Sequence, residues 1–354
     1  GVIGIPIMMA EVMLGRRGRQ SPINTMRTLA YEEKVSPHWR WLGWAGVLAG
    51  FLILSYYSVI AGWALAYVFR AGSGLFTGLT ADGVQSIFSN LVDEPERLLA
   101  WHTIFMVMTM IIVGRGVRSG LERAVRLLMP ALFVLLLVLV GYAWNTDAFQ
   151  QGLDFLFTPD FGAITANGVL IAMGHAFFTL SLGMGAIMVY GSYLPDNASI
   201  AKTSVTVSIM DTTVALLAGM AIFPIVFANG LEPGAGPGLI FQTLPIAFGH
   251  MDGGAFFGML FFVLLVFAAW TSAISLIEPA VAWLVENLQM SRVRAAIWVG
   301  ASVWLLGLGT VFSFNLLSAE EYQLFGKTFF DLLDYLTANI MLLLGGLLIA
   351  VFAG

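Results

Sequence analysis

The sequence predicts an all-α polytopic membrane protein, and three observations carry that reading. First, 59% of its 354 residues are hydrophobic and only 10% are charged, with a mean hydropathy of +0.88. Soluble domains carry about 25% charged residues. Second, apolar runs of spanning length, about 20 residues each, alternate with polar or Gly/Pro-marked connections. Third, the basic residues fall on alternate connections, as the positive-inside rule requires of a multi-pass chain. A net charge of -5 gives no nucleic-acid signature, and the absence of cysteine excludes disulfides, thiol catalysis and thiolate metal sites. The histidines His38, His102, His175 and His250 show no metal-ligand spacing.

Gly1 to Leu14 is apolar but too short to span, and no basic region precedes it as in a signal peptide. It reads as the tail of a helix. Spans follow near 42–69, 98–114, 125–144, 166–192, 200–229, 252–286, 293–313 and 328–352. One transmembrane domain over 1–354 is therefore expected, with a partial helix at 1–14 and about eight full spans. The end, Leu342 to Gly354, stops without a polar tail, so the chain reads as a piece of a longer protein. The 230–250 stretch, with Gly230, Pro233, Gly234, Gly236, Pro237 and Gly238, reads as an extracellular loop, with room for a short helix from Leu239 to Phe248.

Orientation follows from thirteen of the sixteen basic residues: Arg16, Arg17, Arg19, Arg27, Lys34 and Arg40, then Arg115, Arg118, Arg123 and Arg126, then Lys202, then Arg292 and Arg294. These connections are assigned to the cytoplasm. Arg70, Arg97 and Lys327 fall on the other side, together with Asp82, Asp93, Glu94, Glu96, Asp147, Asp154 and Asp160. One false span would scramble this alternation.

Within the 166–192 span, Gly174 to Gly185 reads GHAFFTLSLGMG. Glycines and hydroxyls interrupt a run long enough to cross the bilayer. A backbone that leaves the helix in lipid must find partners in the protein or line a cavity, which makes such a break a candidate binding site. Close helix packing is the other reading, because Gly, Ser and Thr are common at transmembrane contacts. Asp211 stands at membrane depth beside Ser208, Thr212 and Thr213, and no Lys or Arg occupies the middle of any span. A hard cation such as sodium, or a proton, is favoured there over a buried ion pair. Glu11 lies about a turn before Arg16; it snorkels to the surface or bonds freed backbone N–H groups. Thr271 and Ser272 are mid-span hydroxyls. They are suited to an alkali cation or to bonding carbonyls one turn back. Pro279 after Glu278 predicts a kink. Tyr56 and Tyr57 lie about 15 residues into their span, deeper than an aromatic belt, and are candidates to line a pocket. Neither Gly114-Arg115-Gly116 nor Gly183-Met184-Gly185 follows a strand, so neither supports dinucleotide binding. With no nucleophile–base pair or metal motif, an enzyme is not expected.

At these residues the chain closely resembles the neurotransmitter:sodium symporter family, in its bacterial amino-acid branch. Five motifs stand in the family's order: Gly4-Ile5-Pro6 with Glu11 and Gly15-Arg16; Ser55-Tyr56-Tyr57 with Trp63; Gly116 to Arg123; Phe177 to Gly185; and Thr271-Ser272 through Glu278-Pro279. The resemblance implies an inverted-repeat transporter fold with unwound helices, truncated at both ends. Its first helix would precede Gly1, itself broken, supplying backbone groups to both ions and the substrate carboxylate and the basic partners of both gates. One or two further helices would follow Gly354.

Roles are implied by position. Ile53, Tyr57, Phe178, Ser181, Met184, Ser272 and Leu276 would line an amino-acid pocket, with Tyr57 and Phe178 as its outer lid. Thr179 and Asp211 would serve one sodium site; Ala268 (by its carbonyl), Thr271 and Ser272 would serve a second. Glu11 would bond the unwound backbone. Asp334, in preference to Asp331, would be the acidic half of an outer gate, and Glu286 that of an inner gate. His175 stands where relatives often carry Gln, and a titratable ring there could make transport sensitive to pH. Asp211 stands where some members carry Asn, so its fixed charge could replace chloride, and no chloride requirement is expected. The implied activity is sodium-coupled symport of a neutral, hydrophobic or aromatic amino acid across the inner membrane. A truncated inactive product and a transporter-like sensor are the alternatives. The expected partners are an amino acid, the lipid bilayer and, as an open question, a second copy in a homodimer.

Overall fold

The computed structural model describes residues 1–116, 120–233, 236 and 238–354, with 120–127 as backbone only. Val117, Arg118 and Ser119 of the fourth–fifth motif lie outside the described residues, as do Gly234 and Pro237 of the 230–250 stretch and the side chains of Glu122, Arg123 and Arg126.

The described residues are almost entirely helical. The helices are α1 (Gly4–Gly18), α2 (Pro22–Glu32), α3 (Arg40–Gly72), α4 (Ala81–Val92), α5 (Pro95–Arg115), α6 (Gly120–Trp144), α7 (Phe149–Phe157), α8 (Ala166–Thr179), α9 (Ala186–Tyr193), α10 (Ile200–Ala228), α11 (Leu239–His250), α12 (Gly254–Leu288), α13 (Arg292–Ser313), α14 (Phe329–Leu336) and α15 (Leu342–Ala353). By length and composition six helical segments can cross a membrane: Pro37–Gly72, Pro95–Arg115, Ile200–Ala228, Gly254–Leu288, Arg292–Ser313 and Phe329–Ala353. A seventh counts if α6 and α7, bent by 118° at their junction, form one crossing. The 166–192 run is two short helices, α8 and α9, separated at 180–185. α14 and α15 are joined by a π-helical turn over Thr337–Met341.

α3 is the central post. Small residues on its surface let other backbones approach, as in other membrane helix pairs. A Cβ added at Gly62 would stand 3.0 Å from the Trp101 carbonyl carbon on α5, and one at Gly43 would stand 2.7 Å from the Pro22 carbonyl oxygen on α2. The α1–α9 contact is reciprocal. A Cβ at Gly15 would lie 2.0 Å from the Met188 carbonyl oxygen, and one at Gly191 would lie 2.5 Å from that of Val12. His102 of α5 is fully buried; its ring nitrogens meet the Ser58 hydroxyl on α3 at 3.1 Å and the Trp304 carbonyl oxygen on α13 at 3.2 Å. It is a satisfied core histidine tying three helices. Toward the end of α3 that leads to Gly72, Trp63 packs edge-on against Phe88, Phe241 and Phe314. This brings α4 and α11 onto the spans and seats the 239–250 helix of the loop. Glu278 of α12 pairs with Arg292 of α13 at 2.5 Å, and Arg292 also donates to the Val113 carbonyl at 2.7 Å. This ion pair joins α12, α13 and the end of α5 near the Arg-rich face.

Candidate functional site

The break between α8 and α9 is built by three residues with left-handed backbone: Ser181 (φ 57°), Gly183 (φ 77°) and Gly185 (φ 76°). Helical bonding dies out stepwise. Leu180 N–H still donates to Ala176 at 3.3 Å; Ser181 and Leu182 then donate to Phe178 and Phe177 at 3.1 and 2.9 Å. Gly183 N–H has no carbonyl one turn back and donates instead to Glu11 Oε1 at 2.6 Å. Glu11 is fully buried, so α1 supplies the acceptor that the broken helix lacks. Glycine is required at 183 twice over, by its φ and because a Cβ would lie 2.6 Å from the Leu342 carbonyl oxygen of α15.

The break sits directly against α3 and α12. A Cβ at Gly50 would stand 3.1 Å from the Leu276 carbonyl oxygen and 3.5 Å from that of Met184. Ile53, Met184 and Leu276 are buried in one apolar cluster, and Tyr57 and Phe178 pack against it. Tyr57 neighbours the Ser272 hydroxyl, and Ser181 is half-buried at the break itself. Six of the seven residues assigned to the pocket thus gather from α3, α8, the break and α12, and Ser181 stands in the break. Tyr56 belongs to the same cluster but reaches toward the π-turn. It is buried, its hydroxyl meets Thr337 Oγ1 at 3.1 Å, and its ring lies edge-on to Phe330.

Thr179, the last residue of α8, donates from Oγ1 to Asp211 Oδ1 on α10 at 2.8 Å. The hydroxyls flanking Asp211 are otherwise engaged: Thr212 and Thr213 bond back to Ser208 and Ile209. No basic side chain pairs with Asp211 among the described residues. A carboxylate and a hydroxyl without a basic partner form a hard oxygen set that fits an alkali cation. Thr271 and Ser272 both donate to the Ala268 carbonyl, at 2.8 and 3.3 Å. The three oxygens assigned to a second ion therefore lie in one turn, bonded to each other, an arrangement shared by hydroxyls that merely cap their own helix.

At the basic face, Glu286 accepts from Ser21 N–H at 3.0 Å and from Asn24 Nδ2 at 2.7 Å. Ser21 is the N-cap of α2, so Glu286 serves an N-terminus that favours a negative charge. On the opposite side Asp331 is committed to a capping box with Thr328, whereas Asp334, one turn on, neighbours Tyr56. His175 is exposed and makes no hydrogen bond among the described residues. The sequence reading missed the π-turn at 337–341, the Tyr190–Ser275 hydroxyl contact between α9 and α12 and the Glu278–Arg292 pair. Only the last left a signal: a carboxylate before a proline and an arginine opening the next span.

The comparisons agree with this architecture over nearly the whole chain. The profile of the Sodium:neurotransmitter symporter family matches residues 1–77 and 84–353. The chain belongs to this family. An uncharacterised sodium-dependent transporter of Bacillus subtilis is 37% identical over 351 residues, which is 99% of this chain and 76% of that protein. One from Haemophilus influenzae is 35% identical over 360 residues, covering all of this chain and 78% of that one. The crystal structure of MhsT in complex with L-phenylalanine superposes with a TM-score of 0.93 at 42% identity, over 99% of this chain and 79% of MhsT. The symporter chain described here is therefore a multi-pass membrane protein of a sodium-dependent transporter family, with an all-helical transporter fold that includes an unwound crossing.

Proposed function

We propose that this symporter couples inward sodium movement to uptake of a neutral amino acid with a hydrophobic or aromatic side chain, by alternating access across the inner membrane. The single observation that carries the reading is the α8–α9 break itself, whose leading edge holds Thr179, bonded to Asp211, next in sequence to Phe178, which packs in one cluster with Ile53, Met184 and Leu276. The phenylalanine bound by MhsT, a relative at 42% identity, supports the substrate class. One transmembrane unit holds the site: the α1 segment, then eight crossings with α8 and α9 counted as one, and the 230–250 stretch outside. Coupling arises because ion and solute favour the same conformational state, each raising the other's affinity. Two sodium ions are assigned, one at Thr179 and Asp211 and one at Ala268, Thr271 and Ser272. Tyr57 and Phe178 close over the solute, Glu11 holds the unwound backbone, and Asp334 and Glu286 serve the outer and inner gates.

The test is uptake of labelled phenylalanine and leucine into proteoliposomes under an inward sodium gradient. Uptake that collapses when sodium is replaced by choline is the expected result. Sodium-dependent binding without uptake would mark a sensor instead, and neither would mark an inactive product. A second expected result concerns the anion. With Asp211 as a fixed negative charge, replacing chloride by gluconate should leave sodium-driven uptake within about twofold; a tenfold loss, about 1.4 kcal/mol, would show that the carboxylate does not stand in for the anion.

A further inference from the structure

At the basic face of α3 two adjoining cavities share Ile23, Trp44 and Trp283. The outer one, about 320 Å³, opens between Arg27, Arg40, Asn24 and Asn287. The inner one, about 350 Å³, is walled by Val47, Leu48, Phe51, Leu284 and Trp298. The Trp44 and Trp283 rings, 4.6 Å apart and edge-on, form the shared wall. From Trp44 to Phe51 the slot follows α3 for seven residues, about 10 Å at the helical rise. The shape is polar at one end and apolar for the rest.

The charge is one-sided. Arg27 and Arg40 are both exposed, and neither forms an ion pair among the described residues; Arg40 instead lies over the Trp41 ring at 5.3 Å. The nearby acids are engaged elsewhere, Glu286 by Ser21 and Asn24 and Glu32 and Glu33 by Arg17. The cleft belongs to the face that carries Arg16, Arg17, Arg19, Lys34, Arg292 and Arg294, which the positive-inside rule places at the cytoplasmic leaflet, where the anionic lipids are. Guanidinium groups match phosphate geometry.

We propose that this cleft binds one anionic phospholipid of the inner leaflet, with its phosphate between Arg27 and Arg40 and an acyl chain in the slot beyond the Trp44–Trp283 pair. An ordinary aromatic belt with scattered arginines needs no slot between helices, and a free phosphate has no use for an apolar one. None of the lining residues is among those assigned to transport, although Asn24 donates to Glu286, and the proposal does not depend on those assignments.

Native mass spectrometry of the detergent-solubilised 354-residue chain with equal dioleoyl phosphatidylglycerol and dioleoyl phosphatidylcholine tests this. Phosphatidylglycerol should be retained about twenty-five-fold better, two basic contacts each giving about fivefold. Joint Arg27→Gln and Arg40→Gln should bring it to the phosphatidylcholine level, while Lys34→Gln, which removes an equal-signed charge outside the cleft, should leave it unchanged. Ala280 also lines the inner cavity, so Ala280→Phe, which fills the slot with both arginines intact, should displace the lipid even if the arginine variant fails to fold. Equal retention of the two lipids by the unmodified chain would overturn the proposal. So would an equal loss in Lys34→Gln, which would mean diffuse surface attraction, displacement by millimolar inorganic phosphate alone, or a lipid-free dimer with Trp298 buried between copies.

Discussion

Replacing Asp211 by alanine is expected to abolish sodium-driven uptake, with apparent sodium affinity falling at least about 100-fold, while the helices stay folded. The reasoning starts from cost. A carboxylate at membrane depth is unfavourable by about 3 kcal/mol unless something compensates it. Here its visible partner is the Thr179 hydroxyl, at 2.8 Å, with no lysine or arginine facing it among the described residues. A cation arriving there relieves the charge, so a large part of the ion's binding energy should depend on that carboxylate; 2.7 kcal/mol corresponds to the hundredfold change. Folding should survive because Thr179 is exposed and Asp211 only half-buried, so alanine opens no core cavity. Asp211→Asn, which keeps one oxygen, should lose about tenfold, and Thr179→Ala a similar amount. Sodium titration of phenylalanine uptake, with thermal unfolding in detergent as the folding control, reads all three. Unchanged sodium dependence in Asp211→Ala would remove the carboxylate from the ion site.

The sequence made the break legible because glycine and hydroxyl residues interrupt an otherwise spanning apolar run. It did not show which backbone would turn left-handed. Ser181 does so together with Gly183 and Gly185, and only a surrounding shell from α1, α3 and α15 fixes that choice. Long spans such as α3 and α12 were readable from hydropathy because lipid demands length. α2, α4 and α7 were passed over as connections because they are short, although Ser21-Pro22 before α2 is a helix-start signal. The π-turn at Thr337–Met341 is a change of hydrogen-bond register inside an apolar run, and hydropathy does not encode register. Long-range polar pairs were the least legible. Nothing in the residues around Glu286 names Ser21, 265 positions away. The Thr271–Ser272 hydroxyls illustrate a different limit. Their bonds to the Ala268 carbonyl are what both the ion-site and the helix-capping readings predict.

Glu11 offers the sharpest contrast between two substitutions at one position. Glu11→Ala should leave Gly183 N–H buried without an acceptor and a void where the side chain stood. The first term costs about 1–3 kcal/mol, and truncation of a buried side chain adds about 2 kcal/mol or more. Glu11→Gln keeps an amide oxygen where Oε1 accepts from Gly183 at 2.6 Å. Its new amide group would fall where Oε2 is buried with no hydrogen-bond partner, so glutamine should be weaker than glutamate but far better than alanine. The expected order of thermal stability in detergent is Glu, then Gln, then Ala, with transport lost in Glu11→Ala because the break that presents Phe178, Ser181 and Met184 is no longer held. If Glu11→Gln proved as damaging as Glu11→Ala, the negative charge rather than the acceptor geometry would be what the unwound backbone needs. If Glu11→Ala transported normally, the α1 contact would be dispensable, and the break from Ser181 to Gly185 would have to hold its shape through α3 and α15 alone.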